Sequence, residues 1–194
     1  MDKLNLRDTI KNKRLKLSLQ TQLDYSTAIY NRLIKHNAFR NSQHIGCYLA
    51  MNGEVSTNKV IETIWAQQKK CYLPILHENK SGYMSFAEYK KNDELVKNRF
   101  NIPEPKNKQN PMDAKDLDLV ITPLVAFDDE CNRLGMGAGF YDRSFAFLNI
   151  KPRPHKPMMV GVAYDFQKTD KIQPQSWDVA MDFIITNNGV STKL

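Results

Sequence analysis

Ile45-Gly46-Cys47-Tyr48-Leu49-Ala50 reads as a buried strand, because an unbroken apolar run of this length suits a strand covered on both faces. Asn52-Gly53 then marks a turn. Ser56 or Thr57 stands where a helix cap belongs. Val60, Ile61, Ile64 and Trp65 give that helix its apolar stripe, and Lys69-Lys70 closes it. Cys71-Tyr72-Leu73-Pro74-Ile75 is a second strand. Strand, helix and strand within about 30 residues form a βαβ unit, which demands a parallel sheet.

Upstream, Lys3 to about Leu17 lacks Gly and Pro and predicts a helix. Lys3, Arg7 and Lys11 share one of its faces, while Leu6, Ile10 and Leu17 take another. Ser18 is a predicted N-cap, and Leu23, Tyr30, Leu33 and Ile34 are the apolar stripe of the helix that follows. Downstream, Tyr83 to Tyr89 alternates like a strand with one wet face, and Asn101-Ile102-Pro103-Glu104-Pro105 cannot be helical. Residues 105–111 are a surface loop. Asp118-Leu119-Val120-Ile121-Thr122-Pro123 is a strongly apolar strand, followed by a loop to Gly139 and a helix from Phe140 to Leu148. Met158 to Ala163 and Phe183 to Thr186 are the last two strands expected. The whole, residues 1–194, reads as a single α/β domain.

Composition narrows the class. Hydrophobic residues are 41% and charged residues 25% of the 194, which suits an ordinary globule and argues against disorder. No stretch of about 18 apolar residues exists, so no membrane partner is expected. Met1 to Arg7 offers no apolar signal region. Cys47, Cys71 and Cys131 are odd in number and widely spaced, so disulfides are not expected and a reducing cytoplasm is. Cys47 and Cys71, in apolar strands, read as inert core. His36, His44, His77 and His155 show no metal-ligand spacing. Net charge is +7, and residues 1–40 alone carry +6. Such a field draws anions: nucleic acid, nucleotides or polyanionic small molecules.

The segment richest in chemistry is Arg133-Leu134-Gly135-Met136-Gly137-Ala138-Gly139-Phe140-Tyr141-Asp142-Arg143. Glycines at alternate positions ahead of a helix let backbone N–H groups come close to phosphate oxygens. The spacing is neither the dinucleotide fingerprint nor a P-loop. A tight structural turn would use the same glycines. Arg133 and Arg143 as phosphate partners, and Asp142 as a hard oxygen ligand for Mg²⁺, tip the reading toward anion binding.

That stretch, with Pro123-Leu124-Val125-Ala126-Phe127-Asp128 upstream, resembles the signature of the 5-formyltetrahydrofolate cyclo-ligase family. Lys3-Leu4-Asn5-Leu6-Arg7 resembles that family's N-terminal motif. Tyr48 through Thr57, Ile102-Pro103-Glu104-Pro105, and Trp177-Asp178 through Thr186 resemble its other landmarks, in order. The resemblance implies a three-layer sandwich of the NagB/RpiA/CoA transferase-like kind, with a mostly parallel central sheet and helices on both faces. It implies an ATP site of Lys3, Arg7, Arg133, Leu134, Gly135, Met136, Gly137, Ala138, Gly139, Phe140 and Tyr141. Folate would meet Leu49, Glu54, Met136, Gly137, Ala138, Gly139 and Phe140. Arg133, Tyr141 and Arg143 would be catalytic, and Asp142 with Asp178 would hold Mg²⁺. Cys131 stands where the family has Gly, so that turn is expected to be built differently. Met136 and Ala138 bring no charge to positions that are basic in some members, and Asn187 replaces a common Glu.

The activity implied is ATP-dependent conversion of 5-formyltetrahydrofolate, with or without a polyglutamate tail, to 5,10-methenyltetrahydrofolate, ADP and phosphate by a monomer. On residue type alone, Glu54 is a turn carboxylate in water, Leu49 core, Asp178 a cap, and Tyr141 a packing residue. Lys3 and Arg7 lie near a terminus, where disorder is the default. Two other readings stand beside this one. One is a sugar-phosphate isomerase or deaminase on a similar scaffold. The other is a basic nucleic-acid-binding protein, although no RNP-like, zinc-finger or basic-zipper motif is present.

Overall fold

In the computed structural model, which describes residues 3–77 and 79–192, the βαβ unit forms as its sequence dictates. The elements in chain order are α1 (Lys3–Leu15), α2 (Leu19–Leu33), α3 (Asn37–Asn41), β1 (His44–Gly46), α4 (Asn58–Ala66), β2 (Lys70–Leu76) and β3 (Met84–Glu88). There follow β4 (Leu95–Lys97), β5 (Pro103–Pro105), β6 (Leu119–Pro123), β7 (Ala126–Phe127), β8 (Arg133–Leu134), α5 (Phe140–Ser144), β9 (Met158–Val162), β10 (Phe183–Ile185) and β11 (Val190–Thr192). The described residues form a seven-stranded sheet ordered β11-β10-β9-β6-β1-β2-β3. β10, β9, β6, β1 and β2 run parallel, and only the edge strands β3 and β11 are antiparallel. The expected single, mostly parallel α/β sheet is what the chain builds.

The two-residue period of a strand sorts side chains into two cores. Leu119 and Ile121 of β6, Val160 and Val162 of β9, and Phe183 and Ile185 of β10 meet α2, α3 and α4 through Ile29, Leu33, Phe39 and Ile64. Val120, Met159 and Ile184, on the opposite face, meet Phe127, Phe145, Leu148 and Met181. Helices therefore do lie on both faces. The second face, however, carries only the five-residue α5, 3₁₀ turns and the β7–β8 hairpin.

Local chemistry explains where the elements differ from expectation. Ser18 caps α2 as predicted, its Oγ accepting from the Thr21 N–H at 3.0 Å. The buried stripe of α2 is Ser26, Ile29 and Leu33, while Leu23 stays exposed. Thr57 holds the N-cap position of α4 without capping it, because its hydroxyl donates to the Tyr48 carbonyl. That bond ties α4 to the chain leaving β1, and it goes with the short β1: only His44–Gly46 pair as strand, and residues 47–50 continue extended. The segment expected as a loop to Gly139 contains the β7–β8 hairpin, and the helix expected to Leu148 ends at Ser144 and continues as 3₁₀ over Ala146–Asn149. β3 is buried at Ser85, Phe86 and Ala87, so it lacks the wet face read from its alternation. Cys131 adopts φ +58°, the left-handed region that favours glycine, so its turn keeps the glycine conformation instead of a different build. Met1 and Asp2, the first two of the seven residues read for an N-terminal signal, lie outside the described residues. Among the described residues no helix is long and apolar enough to cross a membrane.

Asp118 pins the entry to β6. Its carboxylate accepts from the N–H groups of Gln43 and His44, each at 2.9 Å, and from Lys156 Nζ at 2.5 Å. Burial alone would raise this carboxyl, but those hydrogen bonds outweigh it and hold it down at about 2. A depressed carboxylate stabilises the fold above its ordinary range and loses that contribution as pH falls toward the folded value. We expect at most about 2 kcal/mol to disappear between roughly pH 4 and pH 2, reduced by solvent screening at exposed Lys156. Urea unfolding against pH checks this: Asp118→Asn should flatten that window, and an unchanged slope would contradict it.

Candidate functional site

The crossovers place a cleft at one end of the sheet. From β1 the chain proceeds to β2 on one side, and from β6 to β9 on the other, so the connection reverses between β1 and β6. Beyond the carboxyl ends of strands at such a reversal lies the natural crevice of an open α/β sheet. A cleft of about 990 Å³ opens there, lined by Tyr48 and Leu49 after β1, Leu73 and Pro74 of β2, and Pro123 to Val125 after β6. Its size lies at the upper end of the range for small-molecule sites.

Every residue singled out from the sequence lines this one cleft: Lys3, Arg7, Leu49, Glu54, Arg133 through Arg143, and Asp178. The glycine loop forms its rim. Gly137 has φ +100° and Gly139 φ +66°, conformations that side-chain-bearing residues rarely adopt. α1 crosses above the loop, with Leu6 packed on Ala126, Leu134 and Ile172. Arg7 Nε donates to the Gly135 carbonyl at 2.8 Å, and Lys3 Nζ to the Gln173 carbonyl at 2.9 Å. The N-terminal basic face is therefore ordered against the loop.

Arg133 is buried; one Nη donates to the Val179 carbonyl and the other to Asp142 Oδ1 at 2.8 Å. Asp142 Oδ1 also accepts from the Val179 N–H at 3.1 Å, which brings Asp178, the preceding residue, beside it. Arg143 braces the loop by donating to the Gly82 and Ala138 carbonyls. Tyr141 stacks on Phe145 with 6.1 Å between ring centroids, and burial pushes its phenol well up, so it serves only as a neutral donor.

Glu54 corrects a reading made on residue type. It is no turn carboxylate in water: its side chain is 16% exposed, and its Oε2 accepts from the Met51 N–H at 3.0 Å. Burial raises its carboxyl, against the lowering effects of that N–H and of Arg14. Leu49 is half-buried: it packs against the core on one side and lines the cleft wall on the other.

The donor set for a divalent cation is small. Among the described residues no cluster of three His, Cys, Asp or Glu exists. Asp178 Oδ2 accepts from the Gln175 N–H at 2.9 Å, which leaves Asp178 Oδ1 and Asp142 Oδ2 without hydrogen bonds among the described residues. Two unengaged carboxylate oxygens on one cleft wall fit a Mg²⁺ whose other ligands are phosphate oxygens and water.

Sequence reasoning missed Arg14, Phe100 and Trp177 on the cleft wall. Phe100 sits edge-on to Phe140 at 5.7 Å between centroids. Arg14 had a usable signal. At 3.6 residues per turn, positions 3, 7 and 14 fall within about 40° of one another, closer than Lys11, which was grouped with the first two.

A model of the 5-formyltetrahydrofolate cyclo-ligase family matches residues 1–187. The 5-formyltetrahydrofolate cyclo-ligase of Haemophilus influenzae is 36% identical over 177 residues, covering 91% of this chain and 92% of that protein. The solution structure of Aquifex aeolicus 5,10-methenyltetrahydrofolate synthetase superposes with a TM-score of 0.82 at 29% identity, covering 99% of this chain and 93% of that one. The synthetase from Mycoplasma pneumoniae gives 0.75 at 25% identity, covering 96% and 99%.

Proposed function

The chain belongs to the 5-formyltetrahydrofolate cyclo-ligase family, and from that premise we propose that residues 1–194 act as one ATP-dependent cyclo-ligase domain. It converts 5-formyltetrahydrofolate to 5,10-methenyltetrahydrofolate, ADP and phosphate. The observation that carries the reading is the convergence of the glycine loop, the Lys3–Arg7 face and Glu54 on one cleft. An isomerase or deaminase on this scaffold would use the glycine loop for a sugar phosphate and would need neither ATP nor Mg²⁺, so nucleotide dependence separates it from a cyclo-ligase. A nucleic-acid-binding protein would need its basic residues spread over an open surface, whereas Lys3 and Arg7 turn into the cleft.

The chemistry follows from the substrate. A formyl oxygen on N5 is a poor leaving group, and phosphorylation makes it a good one. The formyl oxygen attacks the γ-phosphorus and ADP departs. N10 then attacks the formyl carbon and gives up its proton to solvent, the C–N bond closes the ring, the C–O bond breaks, and phosphate leaves with the oxygen. Such phosphoryl transfer requires positioning and charge neutralisation rather than a protein nucleophile. Lys3 and Arg7 bind the nucleotide phosphates, and the amides of Gly135 through Gly139 cradle them. Arg143 sets positive charge beside the loop, and Arg133 orients the Asp142 carboxylate through its pair with it. Tyr141 donates a hydrogen bond to the transferring group. Leu49 and Glu54, with Met136 through Phe140, hold the folate. Asp142 and Asp178 would hold Mg²⁺, which when bound with ATP neutralises and orients the phosphates.

We further propose a monomer that works in the cytoplasm on small molecules, without nucleic acid. Buried free thiols at Cys47 and Cys71, the former pushed up to about 12 by burial, suit a reducing compartment. The test is methenyl-folate absorbance with purified protein and 5-formyltetrahydrofolate, with and without ATP. Product that depends on ATP supports the reading, and product formed equally without it refutes it.

Arg7 provides a narrower test. Arg7→Ala should weaken ATP binding by roughly 10- to 150-fold, the effect of losing one charge-assisted hydrogen bond. Folate binding should change far less. Isothermal titration with each ligand checks this, and unchanged ATP affinity in a folded variant would remove Arg7 from the nucleotide site.

A further inference from the structure

We propose that Arg14 is a positioning residue for the folate half of the cleft: from the end of α1 it holds the Glu54 carboxylate charged and aimed at the substrate. The inference rests on the cyclo-ligase reading and deepens it. Arg14 is 1% exposed, among the most buried side chains of the protein, yet it belongs to the cleft wall. A fully buried guanidinium in a globule of this size requires a partner, because desolvating an unpaired charge costs several kcal/mol. Its partner is Glu54: Arg14 Nη1 lies 3.8 Å from Glu54 Oε1. Arg14 Nε has no hydrogen bond among the described residues. At 3.8 Å the pairing with Glu54 is an ion pair without a hydrogen bond.

The backbone fixes this juxtaposition from the other side. Gly53 has φ +73°, and a Cβ there would sit 3.2 Å from the Arg14 carbonyl oxygen, so the Asn52–Gly53 turn packs directly on the last turn of α1. Tyr164 donates to the Glu54 carbonyl at 3.3 Å, and Tyr48 to the Val55 carbonyl at 2.7 Å. Glu54 is therefore clamped by its main chain and steered by Arg14. The ionisable groups facing it are Arg14 from α1, Tyr48 after β1, Tyr141 of α5 and Tyr164 after β9. Burial pushes all three phenols up, so they remain neutral and Arg14 supplies the charge that opposes desolvation of Glu54. A charged carboxylate accepts the ring N–H and exocyclic amino groups of a pterin, whereas a neutral carboxyl presents a competing donor to them.

The experiment is calorimetric binding of 5-formyltetrahydrofolate without ATP, from about pH 5.5 to pH 8.5, so that no turnover intervenes. The ligand's own titration is common to all variants. An opposite charge within 4–6 Å typically moves a carboxyl by one to three units. Removing it should move Glu54 upward. In Arg14→Met the acid-side loss of affinity should therefore shift to higher pH by at least about one unit. Arg14→Lys should restore the wild-type profile, and Glu54→Gln should abolish the acid-side loss altogether. Arg14→Gln, a neutral and polar replacement, should match Arg14→Met and serves if the latter unfolds. A uniform loss of affinity with an unmoved pH profile in both neutral variants would overturn the role of Arg14 alone. Absence of binding by the unmutated protein would instead overturn the cyclo-ligase reading.

Discussion

Gly137→Val should lower kcat/KM by at least about 1000-fold, or roughly 4 kcal/mol of transition-state stabilisation, while leaving the fold in place. Three features combine to give so large an effect. Gly137 has φ +100°, where a β-branched residue is strained, so the loop must change course to accept it. The added Cβ would sit 3.6 Å from Arg7 Cζ, so a larger side chain crowds the guanidinium proposed to bind phosphate beside the loop amides. The residue is exposed and lies in neither core cluster, so thermal unfolding should move by only a few degrees. Turnover near wild type would reduce the loop to a structural turn. A large fall in melting temperature would mean that the loop is part of the core.

Asp142→Asn should lower kcat by roughly 100- to 1000-fold with little change in folate affinity. Asn keeps an Oδ1 that can accept from Arg133 and from the Val179 N–H, so the local frame survives and the charge alone is removed. Asp178→Asn should act in the same direction. The double variant should fall short of the product of the two single effects if, as proposed, both carboxylates serve one ion. Raised Mg²⁺ should partly restore either single variant. If Asp142 instead serves only to anchor Arg133, its replacement will leave the Mg²⁺ dependence of turnover unchanged, and the metal assignment fails.

Much of the fold was legible because its signals are local and periodic. The apolar runs at Leu119–Pro123 and Met158–Val162 had to be strands buried on both faces, and Ser18 announced α2 through its hydroxyl. What escaped was set by tertiary context. The β7–β8 hairpin pairs only two residues on each side, too few for any periodicity to register. β3 alternates like a half-wet strand, but α5 packs beside it, Met112 bridges its outer edge at Phe86, and Ser85, Phe86 and Ala87 are all buried. At the site, the glycine loop was legible because only glycine tolerates its backbone. Glu54 was not, since its burial depends on α1 crossing the Asn52–Gly53 turn, a contact between segments some 40 residues apart. Arg14 shares the helical face of Lys3 and Arg7, but its burial rests on the same contact with the Asn52–Gly53 turn.

If ATP phosphorylates the formyl oxygen, that atom must end in inorganic phosphate, and isotope labelling follows it there. With 5-formyltetrahydrofolate carrying ¹⁸O in the formyl group, each turnover should deliver one ¹⁸O into inorganic phosphate, read by the isotope shift in ³¹P NMR, with ADP and methenyl-folate formed one to one. Unlabelled phosphate accompanying methenyl-folate would contradict the account, because the formyl oxygen would then have left without ever binding phosphorus.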